Sequence, residues 1–245
     1  MSESMVSGGK QEVGEPAGQA LPEQAEITRA AIGIGLYAGV FGLTFGAVAS
    51  AAGLSSVQAV VLSVVMFTGA SQFALVGIVA AGGAPLAALS AALLLGLRNA
   101  FYGVPIGRLL RPRGPRRLWT AHFVIDETTA MAMAQPTQRA GRHAFWRTGI
   151  TLFALWNLGT LAGALIGSGI DTSALGLDAA APAIFLALLW PQLSREYGRG
   201  VALGAVLLTL SLVTLVPAGV PIIAAAGVAI LAGLLPSRTA EPGRE

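Results

Sequence analysis

The stretch Val57–Ala80, VQAVVLSVVMFTGASQFALVGIVA, decides the class of fold. It carries no charge, and it is longer than the roughly 20 residues that cross about 30 Å of hydrocarbon at 1.5 Å per residue. Its middle, however, reads Thr68-Gly69-Ala70-Ser71-Gln72-Phe73, a poor helix interior. Glycine, serine and glutamine together predict a break there. A helix restarting near Ala70 turns free N–H groups and a positive dipole end inward, as discontinuous helices do around a substrate carboxylate. A hydrogen-bonded contact between helices is the plainer reading of the same residues.

Working outward, further apolar segments follow the same pattern: Ala31–Ala52, Pro85–Gly107, Leu118–Gln135, Phe145–Gly167, Ala179–Trp190, Val201–Val216 and Pro217–Leu235. The composition agrees. Apolar residues make up 54% of the chain and charged ones only 11%, against roughly a quarter in soluble domains. Five of the twelve acids (Glu3, Glu12, Glu15, Glu23 and Glu26) sit in the N-terminal stretch. The expected fold is therefore all-α: a polytopic membrane protein with about seven transmembrane helices plus at least one broken or re-entrant segment. Its organisation reads as a disordered polar tail (1–30), one transmembrane domain (31–235) and a short polar tail (236–245). Glycines spaced four apart, Gly35/Gly39, Gly42/Gly46 and Gly159/Gly163/Gly167, are expected to let the chain's own helices approach closely.

Arginines fall at the ends of apolar runs. This is the positive-inside pattern rather than a basic face for nucleic acid, despite a pI near 9.9. Arg108, Arg111, Arg113, Arg116 and Arg117 mark one cytoplasmic loop; Arg139, Arg142 and Arg147 mark a second; Arg195 and Arg199 mark a third. Leu118–Gln135 then has both ends on one side, so it is expected to be broken or re-entrant, which is tolerated where backbone lines a wet cavity. The N-terminus lies outside if Val57–Ala80 spans, and inside if that segment also folds back. The acidic start argues against a cleavable signal. There is no cysteine, which removes disulfides, thiolate catalysis and thiolate metal sites.

Three polar groups stand out beside the Gly69–Phe73 break. Arg98, in GLRNAFYG (Gly96–Gly103), lies about 15 Å up a continuous helix from Arg108, too deep for an easy return to water. His122, Asp126 and Glu127 lie in the middle of an apolar segment, and an intramembrane charge marks function by default. Arg98 is the natural counter-charge for one acid, leaving the other to bind an amine or exchange a proton. A purely structural ion pair is the competing reading. Trp156-Asn157 reads as packing with one interhelical hydrogen bond, and Trp119, Trp146 and Trp190 as interfacial anchors. His122 and Asp126 share a helix face, but a third metal ligand would have to be Glu127, on another face, or His143, in a loop, and no HExxH or GxSxG is present, so an enzyme is not expected.

At these residues the chain resembles the AzlC/YgaZ family, the large subunits of branched-chain amino acid exporters. The matching blocks are FGLTFGAVASAAGLS (Phe41–Ser55), FTGASQFA (Phe67–Ala74), GLRNAFYG (Gly96–Gly103) and IDETTAMA (Ile125–Ala132). They parallel the family's GASQF, NLRHxLYG and TDExFA. The resemblance implies an inner-membrane secondary transporter that exports leucine, isoleucine and valine, and in some relatives methionine. It also implies a proton gradient as energy source, no cofactor, and a small AzlD/YgaH-type membrane subunit as partner. This chain departs in having Gly96 for asparagine, Asn99 for histidine and Ile125 for threonine.

The expected substrate site is Gly69, Ala70, Ser71, Gln72, Phe73, Arg98, Asn99, Tyr102, Asp126 and Glu127, with Asp126 and Glu127 carrying proton coupling and no metal. The carboxylate is expected at the Gly69–Ser71 break or Arg98, the amine at Asp126 or Glu127, and the aliphatic chain in a pocket that includes Phe73 and Phe101. A membrane scaffold or regulatory subunit that transports nothing is the alternative.

Overall fold

A computed structural model describes residues 17–169, 186, 189–194, 197–216 and 220–234. Every regular element among the described residues is helical. The helices are α1 (Ala17–Ala51), α2 (Ser56–Val65), α3 (Ala70–Ala80), α4 (Pro85–Leu110), α5 (Arg116–His122), α6 (Asp126–Met133) and α7 (Gln138–Gly169). A short 3-10 turn (Trp190–Ser194), α8 (Gly198–Leu212) and α9 (Val220–Leu234) follow. Three stretches among the described residues, Glu23–Ala51, Pro85–Leu110 and Gln138–Gly169, are long and apolar enough to cross a membrane, against an expectation of about seven. Helices α8 and α9, at 15 residues each, reach only about 22 Å. Residues 17–30 of the stretch read as polar tail are helical; residues 1–16, most of Ala179–Trp190 and the 236–245 tail lie outside the described residues.

Helices α1 and α7 form the scaffold. They pack so tightly that glycine is obligatory along the seam. A Cβ at Gly46 would fall on the Thr160 carbonyl oxygen, and one at Gly159 or Gly163 on the carbonyl oxygens of Gly39 or Leu43. These glycines bring two of the chain's own helices together, as their spacing implies. The pairing also fixes direction. Ile27 meets Ala140 and Ala144 near the two starts, Gly42 meets Trp156 midway, and Ser50 meets Gly167 and Ala164 near the two ends. Thus α1 and α7 run parallel. Helix α4 runs the other way, its Leu109 carbonyl accepting from Arg142 Nε at the start of α7 (2.9 Å).

Both segments expected to break, Val57–Ala80 from its polar middle and Leu118–Gln135 from the arginines at both its ends, are broken, and both fold back. Helix α2 starts where Ser56 reaches the Ala164 carbonyl, passes the Ser63–Thr160 hydrogen bond (3.1 Å), and ends where Phe67 meets Phe153 in the middle of α7. After Met66–Gly69 the chain turns. Helix α3 then climbs back along α4, from Ser71 beside Gly96 to Ile78 beside Ala88 and Ala91. Val57–Ala80 is therefore a V, long enough to span yet returning to the end it left. Leu118–Gln135 does the same from the opposite end. Phe123, at its tip, packs on Gly149 and Phe153, and α6 returns until the Ala132 carbonyl lies against Gly141.

Candidate functional site

The tips of the two Vs meet: the rings of Phe67 and Phe123 are 6.1 Å apart. Beside them lies a cavity of about 620 Å³. Helix α1 contributes Ile34, Tyr37, Ala38 and Phe41, and the first V contributes Phe67, Thr68, Gly69, Ala70 and Phe73. Arg98 and Tyr102 come from α4, Ile125, Asp126 and Glu127 from the second V, and Leu152 and Trp156 from α7. The size is that of a small-molecule site, and the lining is mostly apolar with a few convergent polar groups, as such sites require.

Each tip is held open by a buried side chain at the third position of the returning helix. Gly69 adopts φ 63°, ψ −93°, a conformation that only glycine takes readily. Its N–H donates to Gln72 Oε1 (3.2 Å), and Gln72 Nε2 reaches the Leu62 carbonyl (3.5 Å). At the second tip, Ile125 N–H donates to Thr128 Oγ1 (3.1 Å), which itself donates to the Phe123 carbonyl (2.6 Å). Helices α3 and α6 thus both present their N-termini to the cavity. The first turn of α6 holds Asp126 and Glu127, which offset its dipole; that of α3 holds no acid.

Arg98 ties the tips together. Its guanidinium lies 3.6 Å from Asp126 Oδ2 and donates to the Thr68 carbonyl (3.5 Å). This is the one ion pair among the described residues, and Glu127 has no cation of its own. The two paired side chains are 40% and 45% exposed, so the pair faces the open cavity rather than a sealed core.

The match to known proteins follows the same residues. The family model for the AzlC protein matches residues 33–170, which hold every residue of the cavity wall. The chain belongs to the AzlC family. A membrane protein of Archaeoglobus fulgidus, itself uncharacterised, is 32% identical over 192 residues, covering 75% of this chain and 83% of its own length. The inner membrane protein YgaZ of Escherichia coli is 29% identical over 162 residues, 62% of this chain and 66% of the relative. The branched-chain amino acid transport protein AzlC of Bacillus subtilis is 22% identical over 168 residues, 66% of each chain. No solved structure matches.

Seven of the ten residues singled out in sequence, Gly69, Ala70, Phe73, Arg98, Tyr102, Asp126 and Glu127, lie in the cavity wall of this AzlC-family chain. Ser71 and Gln72 are buried behind it, Gln72 as the lace of the break. Asn99, next to Arg98 but about 100° around the helix, does not reach the wall. Phe101 was expected in the pocket and is not there: it is 76% exposed, on the flank of α4 away from Tyr102. Trp156, read as packing, is packed against Phe45 and Phe73 and also lines the cavity. Its neighbour Asn157 bonds within its own helix, to the Phe153 carbonyl (2.8 Å), not across helices. Trp146, read as an interfacial anchor, is partly buried and meets Phe123 and Phe145 edge-on, while Trp119 and Trp190 are exposed. His122 joins the aromatic cluster of Phe67, Phe123 and Phe153. Sequence reasoning missed the α1 wall and Leu152 altogether.

Proposed function

We propose that the chain is the large subunit of an inner-membrane secondary transporter that exports branched-chain amino acids with a small membrane subunit as partner. The observation that carries the reading is the cavity where two helix breaks, an ion pair and a second acid converge. A zwitterion needs an anion seat and a cation seat a few ångströms apart, and both are provided. The anion seat is the N-terminus of α3, whose first turn lacks an acid, with the Arg98 guanidinium in the same wall. The cation seat is the Asp126–Glu127 pair. Ile34, Phe41, Phe73, Leu152 and Trp156 offer the aliphatic chain an apolar wall, worth about 1.5–3 kcal/mol for a fully buried leucine side chain.

Glu127, which forms no ion pair among the described residues, is the group for proton coupling: a proton there removes half of the cation seat and weakens the hold on the amine. Export as the direction, and the small subunit, rest on the family resemblance. The test is efflux of labelled leucine, valine and methionine from preloaded vesicles carrying the chain with a co-expressed small subunit. Gradient-dependent efflux of at least one is expected. No efflux of any, from an assembled complex, would leave the scaffold reading.

A further inference from the structure

We infer that residues 17–133 are two units of inverted orientation, and that the cavity between them is reached from both faces of the membrane. One path is closed by the α2/α3 V and the other by the α5/α6 V. Each unit has the same order of elements: a long helix, then a V entering from the end where that helix finishes. The long helices, α1 and α4, run in opposite directions, so the two Vs enter from opposite ends and meet tip to tip.

The likeness extends to detail. Each break is laced by a fully buried residue at the third position of the returning helix, Gln72 in one and Thr128 in the other. Each V carries an aromatic side chain at or beside its tip: Phe73 stands against Phe45 and Trp156 in the cavity wall, and Phe123 stands against Phe153 and Trp146. Arg98 makes polar contacts to both tips, through Asp126 and the Thr68 carbonyl. A site between inverted units has equivalent routes to both faces, so what closes one leaves the other free to open.

The arginine-rich turns between α4 and α5 and around the start of α7 place that end of the bundle in the cytoplasm. Because α1 parallels α7, the start of α1 is cytoplasmic too, and the α2/α3 V enters from the outer face.

The inference deepens the transport reading and rests on it for its purpose. Its test reads access rather than substrate, so a wrong choice of amino acid leaves it standing. The chain has no cysteine, so single cysteines report cleanly. Ala51→Cys and Ala84→Cys flank the first V, Arg113→Cys and Ala134→Cys flank the second, and all four positions are exposed. A membrane-impermeant maleimide is expected to label the first two only in right-side-out vesicles and the last two only in inverted ones. Ala38→Cys, in the cavity wall, is expected to react with a small charged methanethiosulfonate in both. Labelling of the two ends of either V from opposite faces overturns the inverted units. Reaction of Ala38→Cys from one face only, or from neither, overturns two-sided access, and a complete exchange of the maleimide pattern overturns the orientation.

Discussion

Replacing Asp126 with asparagine is expected to cut gradient-driven efflux about tenfold to a hundredfold while the protein still folds and assembles. Asparagine keeps the shape of the side chain and can still accept from Arg98, so the contact between the tips survives in weakened form. What disappears is the charge proposed to pair with the substrate amine. A hydrogen bond to a charged group contributes about 1.5–3 kcal/mol, and each ~1.4 kcal/mol is a factor of ten. The ion pair itself adds little to stability, because both side chains face the open cavity and are screened there. Purification yield and thermal stability in detergent check the first half of the prediction, and vesicle efflux checks the second. A scaffold would assemble normally and lose no transport; a structural ion pair would show loss of folding before loss of transport.

The second large effect is on stability. Gly163→Ala is expected to lower stability by about 1–3 kcal/mol, the usual penalty for overpacking. The added methyl falls on the Leu43 carbonyl, with Ala47 N 3.0 Å away, and backbone cannot swing aside as a side chain can. Helices α1 and α7 would have to separate, taking Ala38 and Phe41 away from Leu152 and Trp156, so transport should fall as well. Gly33→Ala is the internal contrast. Nothing lies within 4 Å of its added methyl, and alanine favours a helix over glycine by about 1 kcal/mol. Thermal aggregation of detergent-solubilised protein, followed by size exclusion, reads both. Equal stability of Gly163→Ala and the unaltered chain would mean the seam is looser than its glycines imply.

Much of this was legible in the residues. Charge in a lipid-like composition is rare enough that Arg98, Asp126 and Glu127 had to meet something: Arg98 and Asp126 meet each other, and Glu127 lies in the same cavity wall. Gly69 at a positive φ and the glycines of the seam were readable for the same reason: only glycine fits there. The apolar half of the site was not. In a soluble fold an inward face is apolar and an outward one polar, but in a bilayer both are apolar, so Ile34, Phe41 and Leu152 carry no mark. Phe101 was misplaced because sequence neighbours on a helix point about 100° apart, and Tyr102, not Phe101, shares the face of Arg98. The folding back of Val57–Ala80 was undecidable from length. It rests on the parallel course of α1 and α7, a pairing of residues more than a hundred positions apart.

The central claim is that one cavity seats both charges of a zwitterion. Its most direct test is competition against labelled leucine in the vesicle assay, using leucine, leucinamide and 4-methylpentanoate. The amide lacks the carboxylate, and the acid lacks the amine. Competition by leucine alone, with each analogue at least tenfold weaker, is the predicted result, since each forfeits one charge-assisted seat. If 4-methylpentanoate competes as well as leucine, Asp126 and Glu127 do not hold the amine, and the proposed site is contradicted.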